Sequence, residues 1–170
     1  LEVERRHEEL GTGAKALLDA ELAGLLGTVA DILEEPVELE RAVMAGLGTR
    51  IDGVVIADQM TVQGALEHLE GCEGRSLLAI ASANPPVRAA ELPAVPGVDG
   101  YLVDLLGAGP HRAIVAHLVN DAVLATDFES AQALIAAGWS GTVVTRQGER
   151  LDAGALYLVG TGGTDAGPLG

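Results

Sequence analysis

The chain repeats itself, and that repeat limits what it can fold into more than any other feature. Asp31-Ile32-Leu33 answers to Asp104-Leu105-Leu106, and Arg41-Ala42-Val43-Met44-Ala45-Gly46-Leu47 to Arg112-Ala113-Ile114-Val115-Ala116-His117-Leu118. Val55-Ile56-Ala57-Asp58 then answers to Leu124-Ala125-Thr126-Asp127, with Gln63 and Gln132 each five residues beyond the aspartate. The intervals between blocks are two residues shorter in the second copy, as a degenerate duplication allows. Each copy reads helix, strand, helix. The aspartate at the strand's end is placed to cap the helix that follows, which is the plain reading of Asp58 and Asp127.

Local signals fill in the rest. Leu1 to Leu10 is charged and rich in helix formers, and reads as the end of a helix that begins upstream and stops at Gly11 and Gly13. Ala14 to Leu33 is rich in Ala and Leu; strand then helix is one reading, which periodicity does not decide. Pro36 opens a helix whose stripe is Leu39, Val43 and Leu47, with Gly48 as its stop. Strands are expected at Gly53 to Ala57, Ser76 to Ala81, Tyr101 to Leu106 and Ala122 to Ala125, and helices at Thr61 to Leu69, Pro110 to Val119 and Phe128 to Ala137. Between the halves, Asn84 to Gly97 carries Pro85, Pro86, Pro93 and Pro96, which deny regular hydrogen bonding and predict an extended connection.

The last third ends in two apolar runs, Thr142 to Thr145 and Ala155 to Val159, joined by a polar segment with Gln147-Gly148: strand, turn, strand. The second run breaks into Gly160, Gly162 and Gly163. A glycine cluster beside a strand has three readings: a plain loop, a phosphate cradle, or a surface where a second chain packs.

Composition narrows the function. At 170 residues and 48% hydrophobic, the chain can bury a core, but its aromatics are only Tyr101, Phe128, Trp139 and Tyr157. That core is therefore aliphatic, and platforms for base stacking are nearly absent. A net charge of −15, with Lys15 the only lysine, repels nucleic acid and anionic membranes. Cys72 is alone, so no internal disulfide forms, which fits a reducing cytoplasm. No apolar run is long enough to span a membrane, and the acidic N-terminus lacks a signal-peptide layout.

Catalytic patterns are missing. There is no G-x-x-x-x-G-K-[ST] and no G-x-G-x-x-G. His7, His68, His111 and His117 are scattered without metal-ligand spacing, and Gly138-Trp139-Ser140-Gly141 lacks the spacing of a nucleophile elbow. Cys72 has Glu73 beside it, which disfavours a thiolate. The expectation is a non-enzyme with no catalytic residues, no cofactor and no metal.

Several motifs, in order, resemble the hinge domain of the SMC (structural maintenance of chromosomes) proteins. Gly11 to Leu33 resembles the point where the incoming coiled coil gives way to a short strand and a "G-x-V-x-D-L"-like segment. Glu40-Arg41-Ala42-Val43, then Leu47-Gly48 and Val54-Val55-Ile56, resemble the family's "E-x-A-I-x-x-x-L-G-x-x-x-x-x-V-V-V". Val143-Val144-Thr145-Arg146-Gln147-Gly148-Glu149 is similar to its "V-V-T-L-D-G-E", and Gly162-Gly163 to its closing glycine pair. The gap from Gly154 to Gly162 is longer than the family's usual one.

The resemblance implies an α/β (α+β) fold of two pseudo-repeated subdomains, each a small sheet with packed helices. It places the end of an incoming coiled-coil helix at 1–13, subdomain I at 14–83, a proline-rich connection at 84–98, subdomain II at 99–163 and an exit segment at 164–170. It also implies a prokaryotic-type homodimer in which subdomain I of one chain meets subdomain II of the other, with Gly154, Gly160, Gly162, Gly163, Leu156 and Leu158 at the contact. The role it implies is to join two coiled-coil arms of a chromosome condensation and segregation ATPase, whose ATP sites lie outside this chain, in the cytoplasm and on the nucleoid. Weak DNA contact would fall to Arg5, Arg6 and Lys15. The other reading is a small α/β ligand-binding or regulatory domain whose glycine-rich hairpin is an anion site.

Overall fold

The computed structural model describes residues 11–72, 74–88, 91–107, 109–119 and 121–160. In chain order the elements are α1 (Thr12–Asp19), β1 (Leu25–Thr28), α2 (Val29–Ile32), α3 (Glu40–Leu47), β2 (Val54–Ile56), α4 (Gln59–Glu70), β3 (Leu78–Ile80), β4 (Val98–Tyr101), α5 (Arg112–Val119), β5 (Val123–Ala125), α6 (Phe128–Ala136), β6 (Thr142–Thr145), β7 (Arg150–Asp152) and β8 (Leu156–Leu158). This is a mixed α+β chain with two small sheets and helices, as the sequence predicts.

The residues gather into two compact units that do not follow chain order. Of the described residues, one unit comprises those up to Glu34, Gly48–Pro86 and Gly107–Leu118, the other Glu35–Leu47, Val87–Leu106 and those from Val119 on. The division at 14–83 and 99–163 tracks the repeat instead. Each repeat sends its middle helix to the other unit's core: α3 packs on β6, and all but the last residue of α5 counts with the first unit.

In the first unit, β1 runs antiparallel to β2, which runs parallel to β3. Val54, Val55 and Ile56 are buried, as expected of a central strand covered on both faces. Ala14 and Leu17 of α1 and Ala65 of α4 close over Val54 and Ile56. A fully buried Leu17 contributes about 1.5–3 kcal/mol relative to exposure. The helix expected over Leu1 to Leu10 lies outside the described residues; Gly13 sits inside α1, where a Cβ would meet the Arg75 backbone.

The second unit holds a five-stranded sheet in the order β4-β5-β6-β7-β8. Its core is Val123, Leu124, Val143, Val144 and Leu151, with α3 on β6 and α6 on β4, β5 and β6. Trp139 belongs to this core rather than to any catalytic turn. Its ring meets Tyr101 edge-on at 5.8 Å, and Nε1–H donates to the Thr142 carbonyl at 3.4 Å. Burial raises the Tyr101 hydroxyl's pKa against the opposing effect of Arg88, which lies 3.9 Å over the ring.

The duplication is visible in backbone detail. Gly24 and Gly97 precede the first strand of each repeat at φ +86 and +84, a conformation glycine adopts freely. Their carbonyls accept from Ala57 N–H at 2.7 Å and Thr126 N–H at 2.8 Å. Both first strands carry the same register shift, between Leu25 and Gly27 and between Val98 and Gly100. Asp58 and Asp127 are N-caps, accepting from Thr61 N–H at 3.2 Å and Ser130 N–H at 2.8 Å. The second bond holds the Asp127 carboxyl below its ordinary pKa.

Three local expectations change. Ala14 to Leu33 is helix, strand and a one-turn helix, the last closed by a capping box between Thr28 and Asp31. The strand predicted at Tyr101 to Leu106 lies earlier, at Val98–Tyr101, and Leu102–Leu105 forms a 3₁₀ turn that matches α2 of the first repeat. The polar segment after β6 holds a further strand, β7, whose one buried apolar residue is Leu151.

Candidate functional site

Two tight turns build the far edge of the second sheet. Gly148, at φ +97, turns β6 into β7. Ala153 and Gly154, at φ +52 and +69, turn β7 into β8, with Ala155 N–H donating to the Asp152 carbonyl at 2.9 Å. Positive φ at both central residues is the hairpin geometry that matches strand twist, and glycine is at home in it where alanine is strained. A Cβ on Gly154 would stand 3.0 Å from Ile135 Cγ2 of α6, so this glycine is required inside the chain.

Among the described residues β8 is the outermost strand and pairs only with β7: Arg150 with Leu158, Leu151 with Tyr157 and Asp152 with Leu156. Directly paired residues share a face. Leu156 and Leu158 therefore stand on the side of Arg150 and Asp152, and Tyr157 on the side of Leu151, where its ring meets Phe128 edge-on at 6.0 Å. Leu156, Tyr157, Leu158 and Val159 are exposed by 68%, 46%, 64% and 58%. Four consecutive large apolar residues on an open strand edge are what a soluble chain ordinarily covers.

Behind this edge is a polar clamp. Arg150 Nε donates to both Asp152 carboxylate oxygens at 3.1 Å, and Nη1 donates to the Ala45 and Gly46 carbonyls of α3 at 3.0 and 3.1 Å. Asp152 also accepts from the Thr142 hydroxyl at 2.7 Å.

The expected site residues separate accordingly. Gly154, Leu156, Leu158 and Gly160 come together on the β7–β8 hairpin and its exit, with Gly160 at φ +113 and open space where a Cβ would be. Gly162 and Gly163 lie outside the described residues, as do Arg5 and Arg6. Of the glycine-rich stretch read as an anion site, only Gly160 is described. Lys15 is exposed on α1. Sequence reasoning missed Tyr157 and Arg150; the alternation Arg150-Leu151-Asp152 after Gln147-Gly148 is the signal that marks β7. Among the described residues no cluster of His, Cys, Asp or Glu is arranged to hold a metal, and no helix is long and apolar enough to cross a membrane.

Comparison with known proteins agrees with this geometry. The profile of the "SMC proteins Flexible Hinge Domain" matches residues 22–135. Among solved structures, the chain is similar to an asymmetric dimer of the Geobacillus stearothermophilus SMC hinge domain, at TM-score 0.82 and 21% identity, covering 94% of this chain and 69% of that one. It is also similar to the Pyrococcus furiosus SMC protein hinge domain, at TM-score 0.69 and 22% identity, covering 92% and 84%. A third similar structure is the Pyrococcus furiosus hinge with an extended coiled coil, at TM-score 0.71 and 22% identity, covering 93% of this chain and 57% of that one. No curated protein matches significantly by sequence. With two thirds of its length inside the family profile and the duplicated sheet-and-helix fold of these structures, the chain belongs to the SMC hinge family.

Proposed function

We propose that this hinge self-associates through the β8 edge and so joins two coiled-coil arms of an SMC protein. The observation that carries the reading is the exposed run Leu156, Tyr157 and Leu158 of β8, with Val159 just after it, on a strand whose outer side is unpaired among the described residues. A second copy that adds a strand there satisfies the unpaired backbone groups and covers the leucines. The fitting counterpart is the outer edge of β3 in the partner's three-stranded sheet, beside Leu77, which is 44% exposed. Two such contacts related by a two-fold axis close the assembly. A dimeric hinge from Geobacillus stearothermophilus and a Pyrococcus furiosus hinge carrying coiled coil support this reading.

Gly160, Gly162 and Gly163 then let the chain leave β8 close to the partner's backbone. Action on chromosomes, and a weak DNA contact through Lys15 with Arg5 and Arg6, belong to the same proposal. The contact has to act against a net charge of −15, so retention in a gel shift is expected only at low salt. Light scattering behind a sizing column tests self-association: a mass of twice 17.3 kDa is expected, and one of 17.3 kDa across micromolar concentrations refutes it.

A further inference from the structure

α3 runs on into a 3₁₀ turn at Gly48–Asp52, whose Arg50 turns away to donate to the Leu118 carbonyl at 2.8 Å. The last turn of α3 holds no basic residue, and the final carbonyls of any helix lack intrahelical donors. The missing cation arrives from 105 residues further along the chain: Arg150 Nη1 donates to the Ala45 carbonyl at 3.0 Å and the Gly46 carbonyl at 3.1 Å. The same guanidinium holds both oxygens of Asp152 through Nε, and Asp152 holds the Thr142 hydroxyl of β6. One planar group thus ties a helix end, β7 and, through Asp152, β6. A lysine, a point charge without the fork, cannot make these contacts together.

The place of this clamp in the sheet gives it a consequence. Arg150 and Asp152 are the first and last residues of β7, and among the described residues β7 is the only strand on which β8 rests. They stand directly opposite Leu158 and Leu156, the exposed leucines of the edge. We infer that Arg150 is a positioning residue for self-association: by bracing β7 against the end of α3, it holds β8 in the orientation that a second copy pairs with. The inference rests on the self-association reading.

The test compares the dimer dissociation constant, by sedimentation equilibrium, of the wild type, Arg150→Ala, Arg150→Lys and Asp152→Asn. Val144→Ala, a core lesion in the same sheet, serves as the control for lost stability. Losing charge-assisted bonds that hold the edge is expected to weaken the dimer about tenfold in Arg150→Ala, with Arg150→Lys in between. Asp152→Asn keeps the side chain's shape and is expected to weaken it less, which keeps the idea testable if Arg150→Ala does not fold. Val144→Ala lowers the melting temperature and leaves the constant within twofold.

Equal constants for wild type, Arg150→Ala and Asp152→Asn overturn the inference while leaving self-association intact. Equal shifts in Arg150→Ala and Val144→Ala also overturn it, because Arg150 would then act through stability alone. A wild type that stays monomeric overturns both readings.

Discussion

Replacing Leu156 and Leu158 together by serine tests how much the β8 edge contributes to self-association. Each leucine is about two-thirds exposed in the single chain, at 68% and 64%, so that fraction of its surface remains to be buried. Fully burying a leucine contributes about 1.5–3 kcal/mol, and two-thirds of that for both gives about 2–4 kcal/mol. The two equivalent contacts of the dimer double this to about 4–8 kcal/mol, which at about 1.4 kcal/mol per factor of ten should raise the dimer dissociation constant by about 700-fold or more. The monomer should be almost unaffected, since neither side chain lies in its core. Sedimentation equilibrium over a dilution series reads the constant, and circular dichroism confirms the fold. A constant within threefold of the wild type, with the fold intact, would refute the assignment of these leucines to the contact.

Three further predictions concern the single chain. Gly24→Ala and Gly97→Ala each place a side chain at positive φ and against the Thr61 and Ser130 side chains, so each should cost about 1–3 kcal/mol in urea denaturation; a neutral result would show that these turns relax freely. Ala153→Asn puts a residue tolerant of positive φ into the β7–β8 turn, and a gain of about 0.5–1 kcal/mol is expected, with a loss counting against the strained turn. Asp127 has a lowered folded pKa because Ser130 N–H bonds its carboxylate, so its cap stabilises the fold above the usual carboxylate range and fades as pH falls through the folded value. The stability gap between wild type and Asp127→Ala should therefore close in acid, and a gap that persisted there would argue against the cap.

Much of this architecture was legible in the chain because two copies state it twice. The buried strands Val54–Ile56 and Val123–Ala125 are continuous apolar runs, and the capping aspartates sit at the same place after each. The interleaving of the units was not legible: the stripe Leu39, Val43, Leu47 of α3 announces a buried face but not which sheet will bury it. β7 escaped notice because a three-residue strand with polar ends shows only Leu151 to a periodicity argument. Arg150 escaped for a related reason, since a helix cap delivered from a distant strand leaves no local pattern. The described glycines expected at the contact differ in what surrounds them. Gly154 answers to Ile135 and to its own turn, whereas Gly160 has open space beside it.

The most direct test of the central claim is amide hydrogen exchange in β8 followed against protein concentration. Among the described residues of one chain, the β8 amides that face away from β7 have no partner strand, and they should exchange quickly in the monomer. If a second copy adds its strand there, protection of those amides should rise in step with the mass measured by light scattering. A chain that becomes dimeric while these amides keep exchanging at the unprotected rate would contradict the claim and place the contact elsewhere.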